Sequence, residues 1–198
     1  HVEKFPEEKR ERYLSPKELV NLGNFLSEAE EDGSELPQVI AAIKLLLFTG
    51  CRLNEILTLR WEDVLWDQGL LRLADTKTGA QFRPIGKSAL AYLDTLPWKD
   101  ELEHVIPGRD KTKPLVNLGK AWRRIRDRAG LDGVRIHDLR HTHASAAAGS
   151  GLSLPIIGRL LGHTQAATTQ RYAHIANDPV TDAADAVSNH LTNILSGA

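Results

Sequence analysis

The 198-residue sequence contains no methionine and a single cysteine, and only 6% of it is aromatic. One cysteine, Cys51, excludes an intramolecular disulfide framework and fits a reducing compartment. Long apolar runs are missing as well. The longest, VIAAIKLLLF from Val39 to Phe48, is interrupted by Lys44 and is too short to span a bilayer, and no secretory signal opens the chain. A cytoplasmic protein with no membrane partner is the expectation. An excess of one charge is absent too: 25 Lys and Arg stand against 26 Asp and Glu, so the net charge of −1 carries no global mark of a nucleic-acid partner. A chain without methionine that opens on a histidine reads as a piece of a longer protein.

What is present is a soluble globular composition, 41% apolar, long enough for one sizeable core. Charge is unevenly distributed. His1 to Glu35 is acidic, whereas Arg109 to Arg140 is basic and carries Lys120, Arg123, Arg124, Arg126 and Arg135, a surface able to meet phosphates. The first 14 residues lack periodicity and read as a linker. SPKE then gives a serine cap, a proline in the first turn and a glutamate that closes a capping box, so a helix starts near Ser15 with Leu19, Leu22 and Leu26 inward. A second helix is expected from Pro37 to Thr49, ended by Gly50, and a short one around LNEILTL. LLRLADTKTGAQFRPI reads as a β-hairpin with Lys77 near its tip. Helices resume at Ser88–Leu96 and Leu118–Ala129, the latter with Leu118, Trp122, Ile125 and Ala129 opposite its arginines. HDLRHTHAS, LPIIGRLLGH and AATTQRYAH are each read as helical. Ala183, Val187, Leu191 and Ile194 form a last amphipathic stripe within 179–198. The fold class is mainly α with a small antiparallel sheet.

In a helical HDLRH, His137, Arg140 and His141 share one face, an arrangement unsuited to an apolar core. Together with Arg52 after TGC, Lys77, His163 after LLG and Tyr172 in RYAH, they set up an ordered series. From Tyr13 to His174 this series resembles the catalytic domain of the tyrosine recombinases, the phage integrase family. The resemblance implies that Arg52 and Arg140 are the catalytic arginines, Lys77 the hairpin lysine, His137 the first histidine, His163 the second and Tyr172 the nucleophile. It implies site-specific cutting and rejoining of double-stranded DNA through a 3′-phosphotyrosyl link, with no cofactor and no metal. TKTGAQFRPIG and AATTQRYAHIA are closer in wording to integrases of phages and mobile elements than to chromosome-dimer resolvases. The resemblance further implies a missing N-terminal DNA-binding domain before residue 15, a catalytic domain over 15–178, a terminal helix over 179–198 that docks onto a neighbouring copy, with packing against its own chain the equal alternative, a tetramer on DNA and accessory DNA-bending proteins.

Elementary chemistry fits those roles. Paired guanidiniums offer planar donors to the nonbridging oxygens of a pentavalent phosphate and remain charged at any workable pH. A phenol with a reference pKa of about 10 needs a base or cationic neighbours to attack, and His137 is the candidate base or orienter. Lys77 would protonate the departing 5′-oxygen, and His163 would donate to a nonbridging oxygen. His141 is expected only to support the site.

Each residue also has an ordinary reading. Arg52 would pair with Glu55 and Arg140 with Asp138, Lys77 would be a turn residue, and Tyr172 a half-buried aromatic. His137, His141, His143 and His163 approach a zinc set but lack a carboxylate or cysteine at suitable spacing. Cys51 beside Arg52 is either an activated thiol or a buried one. The rival of a different class is a non-catalytic regulator in which LPIIGRLLGHTQAATTQRY forms a helix-turn-helix reader, although that leaves Arg52 and Lys77 unexplained.

Overall fold

The computed structural model describes residues 12–73, 80–163, 165–175, 184, 187–192 and 194. Helix α1, Pro16–Asp32, starts on the expected capping box: Glu18 N–H donates to the Ser15 hydroxyl and Ser15 N–H to the Glu18 carboxylate. Its inward face is Leu22, Phe25, Leu26 and Ala29, with Leu19 at the margin. Helix α2, Pro37–Thr49, is apolar nearly all round and buried accordingly, which makes it the centre of the main core. It ends at Gly50, whose φ of 61° is the left-handed cap conformation glycine adopts without penalty. The five-residue α3, Leu53–Leu57, follows at once.

The hairpin is part of a three-stranded antiparallel sheet. β1 (Val64–Leu65), β2 (Leu70–Leu73) and β3 (Gln81–Pro84) lie in that order, with Leu71 paired to Val64 on one side and to Arg83 on the other. β1 went unread in the sequence because two residues carry no alternation. The expected hairpin tip at Lys77 lies outside the described residues. Helix α4, Lys87–Asp94, starts one residue before the expected span, helix α5, Gly119–Arg128, falls within its own, and Leu118, Trp122, Ile125 and Ala129 are buried as the stripe required.

Helix α6, Asp138–Gly149, packs on α2 and divides two apolar clusters. Leu139 belongs to the main core, whereas Ala144 and Ala148 join Ile157, Leu161 and Tyr172 in a smaller one. Leu14 is also buried, and its N–H donates to the Thr142 hydroxyl on α6. Helix α7, Leu154–Leu161, stops at left-handed Gly162. The helix expected through AATTQRYAH is not formed. Ala166–Thr168 and Gln170–Tyr172 are separate 3₁₀ turns, since the segment is short, carries two adjacent β-branched threonines and has no side-chain cap. Among the described residues the second helix of the helix-turn-helix reading is therefore not formed. Residues 187–192 are helical with Val187 and Leu191 exposed, as is Ile194, while Ala183 lies outside the described residues. Among the described residues no helix is long and apolar enough to cross a membrane.

Gly33 and Gly162 share φ near +65°, but a Cβ on Gly33 would meet nothing within 4 Å, whereas one on Gly162 would fall 1.6 Å from Arg83 Nη1. Gly33→Ala is expected to cost about 1 kcal/mol, the left-handed penalty alone, and Gly162→Ala about 3 kcal/mol or more from added overlap. Urea unfolding of both variants checks the difference.

Candidate active site

Arg140, on α6, is buried and bridges two helix ends. Nη1 donates to the carbonyl of Gly50 at 2.6 Å and Nη2 to that of Leu161 at 2.8 Å. Both carbonyls lie at helix C-termini, where unpaired oxygens and the negative end of the helix dipole favour a cation. The bland pairing of Arg140 with Asp138 is not seen. Asp138, fully buried, accepts from Arg135 N–H and from its guanidinium. Burial first, then the positive charge of Arg52, lowers the Arg140 pKa to about 10, so it stays charged at neutral pH.

Arg52 follows the α2 cap and opens α3. Its side chain is about half exposed, its Nη1 donates to Glu55 Oε1 at 2.7 Å, and its N–H donates to Oε2 at 2.6 Å. The ordinary reading of Arg52 as a partner of Glu55 is thus also correct. A third guanidinium, Arg83 on β3, went unrecognised in the sequence; it is 1% exposed and its Nη2 lies 3.6 Å from the same Glu55 oxygen. Alternation along QFRP would have turned Phe82 inward, so no sequence signal marked it.

His163 stands just beyond α7, its N–H bonded to the Gly158 carbonyl and its Nδ1 2.8 Å from the buried hydroxyl of Thr169. Burial, then Arg140 and Arg52, holds its pKa at about 4. A neutral imidazole that accepts the Thr169 proton at Nδ1 keeps its Nε2–H as a donor. Thr169 is the second group the sequence did not reveal.

Tyr172 is 4% exposed. Its hydroxyl lies 2.6 Å from Nδ1 of His141, the residue expected only to support the site. Burial, then His137 and Arg171, brings the His141 pKa to about 4, so the imidazole is neutral; its Nε2 accepts from Arg171 Nη1 at 3.5 Å, which leaves Nδ1–H to donate to the phenolic oxygen. His137, exposed at the start of α6, sets its ring perpendicular to that of His141 with centroids 4.9 Å apart, and burial of part of the ring lowers its pKa as well. Two groups result, one of Arg52 and Arg83, which share Glu55, with Arg140 and His163 at the ends of α2 and α7, the other of His137, His141 and Tyr172. Lys77 lies outside the described residues.

The remaining candidates divide. Arg124 forks onto buried Glu35 at 2.9 and 2.6 Å, Arg126 pairs with Asp127 and Arg135 with Asp138, whereas Lys120 and Arg123 are exposed on the outer face of α5. His143 is taken up by the Leu47 carbonyl, which with the partners of His141 and His163 separates the zinc-like set. Cys51 is buried and burial raises its pKa, so it is not an activated thiol.

The depressed histidines predict a pH dependence. In the unfolded chain they bind protons near the ordinary imidazole value of 6.5, and in the folded chain only near 4, so stability is full above about pH 6.5 and declines as pH falls toward 4. Glu18, held by Arg12 at about 2 against an ordinary 4.5, loses its contribution from about pH 4.5 downward. Urea unfolding between pH 7 and 4.5 is expected to show the loss, and His163→Gln is expected to flatten it.

Comparison with known proteins bears on this arrangement. The model of the "Phage integrase family" matches residues 12–178. The chain is 29% identical over 186 residues to tyrosine recombinase XerD of Yersinia pestis, covering 83% of this chain and 62% of that protein. It therefore spans less than two thirds of that relative's length. The catalytic domain of bacteriophage HP1 integrase superposes with a TM-score of 0.66 at 23% identity, over 89% of this chain and 95% of that one. XerH site-specific recombinase in a pre-cleavage complex with difH substrate gives 0.69 at 23% identity, over 93% and 56%. These structures share the fold, mostly helices with a small antiparallel sheet. Because that family model covers residues 12–178, most of the sequence, the chain belongs to the phage integrase family.

Proposed function

We propose that the chain is the catalytic domain of a site-specific recombinase that cleaves and rejoins double-stranded DNA through a 3′-phosphotyrosyl intermediate. The observation that carries this reading is the gathering of Arg52, Arg140 and neutral His163 about the ends of α2 and α7, with Tyr172 on the turn that follows. The scissile phosphate would take the exposed fork of Arg52, the charge of Arg140 and the Nε2–H of His163, all directed at nonbridging oxygens where charge builds in the transition state.

Burial of Tyr172 describes a resting position, with the phenol held by His141. To meet a strand, the Gln170–Tyr172 turn swings outward, carrying the hydroxyl past the neighbouring ring of His137. Neutral His137 accepts the phenolic proton as the Tyr172 oxygen bonds to phosphorus, and the bond from phosphorus to the 5′-oxygen breaks. Lys77 gives that leaving oxygen its proton. Rejoining runs the same steps backward with a 5′-hydroxyl as nucleophile, so the bond energy is conserved.

Lys120 and Arg123 are the basic groups of α5 best placed for phosphate contacts; Arg124, Arg126 and Arg135 would first exchange their carboxylate partners. The source is a phage or integrative element, the working assembly is a homo-tetramer on DNA, and DNA-bending proteins assist it. A preceding DNA-binding domain would supply most of the affinity. The exposed stripe of Val187, Leu191 and Ile194 fits docking on a neighbouring copy.

On nicked duplex bearing the element's own recombination site, the wild-type chain is expected to form a covalent adduct visible in a denaturing gel. Tyr172→Phe is expected to abolish it while remaining folded, losing about 1 kcal/mol with the hydrogen bond to His141. An adduct with the phenylalanine variant would assign the nucleophile elsewhere. Lys77→Ala is expected to slow cleavage about 10²- to 10⁴-fold on ordinary DNA. A bridging 5′-sulfur, a good leaving group without a proton, is expected to restore most of that rate, and persistence of the defect would remove Lys77 from the acid role.

A further inference from the structure

Strand β3 faces the wrong way for its hydrophobicity. Phe82 is 54% exposed while Arg83, next to it, is 1% exposed and paired in register with fully buried Leu71. A one-residue slip would bury the ring and release the charge, so the register retains a buried cation at evident cost. Among the described residues Arg83 Nε and Nη2 moreover have no hydrogen-bond partner. Burying a charged donor without a partner costs more than an ordinary hydrogen bond contributes, which makes the arrangement unstable unless another state fills those donors.

Glu55 supplies that state. Its Oε1 lies 2.7 Å from Arg52 Nη1, within hydrogen-bond reach, and 3.6 Å from Arg83 Nη2, just outside it. Arg83 is also roofed by Gly162, whose missing side chain leaves the space its guanidinium fills. It is covered on the side where α7 ends and His163 begins, and it acts on the site through the carboxylate. Resting on the strand-transfer reading above, we propose that Arg83 is a positioning residue for Arg52: when a phosphate takes the Arg52 guanidinium, the Glu55 carboxylate passes to the unused donors of Arg83. Without this second guanidinium, phosphate must strip Arg52 from a carboxylate left with no other cation. With it, the exchange keeps Glu55 paired throughout and frees the Arg52 fork.

Single-turnover adduct formation tests this, on nicked duplexes randomised across the cleavage region and enriched on the wild-type chain for covalent trapping. Arg83→Met keeps side-chain length and is expected to slow adduct formation about 10- to 100-fold while changing duplex affinity less than about threefold. Adding Glu55→Gln to Arg83→Met weakens the grip on Arg52 and is expected to recover about tenfold of the lost rate. Additive losses in the double variant would overturn the proposal, since a merely structural Arg83 gives no rescue. A second measurement needs no DNA and no Arg83 variant: nitrogen NMR of the arginine Nε–H groups during titration with inorganic phosphate. The Arg83 signal is expected to shift in the wild-type chain and to stay still in Glu55→Gln, and an unmoved wild-type signal would overturn the proposal even if Arg83→Met fails to fold. A wild-type chain that traps no duplex would instead reject the strand-transfer reading, with the titration still deciding Arg83.

Discussion

One buried guanidinium sets the frame of the site. Arg140 reaches from α6 to the last carbonyls of two other helices, which otherwise end with oxygens unpaired and partial negative charge exposed. Its cation satisfies both ends at once, and it does so only because α2 and α7 stop where they do, at left-handed Gly50 and Gly162. Arg52 begins two residues past the first stop and His163 one residue past the second. The spacing of those groups therefore follows from a charge–dipole contact in the interior, not from surface contacts between them.

Keeping three arginines close requires that their repulsion be managed without cancelling it. Glu55 is shared by Arg52 and Arg83, and the helix ends balance Arg140, so the cluster keeps a positive excess suited to an anion. The histidines adjust to the same field. His163, His141 and His137 all have lowered proton affinity from burial and neighbouring positive charge, and each is left as a neutral hydrogen-bonding group. Neutral imidazoles can accept a phenolic proton or donate to a phosphate oxygen without adding to the repulsion.

Helix α6 joins this field to the apolar packing. Leu139 anchors it in the main core, while Ala144 and Ala148 give it a small-residue face on which Tyr172 and α7 settle. The tyrosine thus owes its sheltered position to ordinary burial of a ring and one hydrogen bond, contributions modest enough to be exchanged when a larger ligand enters.

Much of the fold was legible in the sequence because its signals are local: the Ser15 capping box, prolines in first turns, stopping glycines, and the apolar stripe of α5. Membership of the phage integrase family was likewise legible, from the order and local wording around Arg52, Arg140, His163 and Tyr172. The two 3₁₀ turns in place of a helix, the inward Arg83, the Thr169 contact and the pairing of Tyr172 with His141 could not. Each depends on residues far apart in the chain or on a register that local hydrophobicity argues against. By itself the amino-acid order determined where most helices start and stop and to which family the chain belongs. Only the packed chain decided which donor meets which acceptor, since burial makes every such pairing a choice among distant partners competing without water.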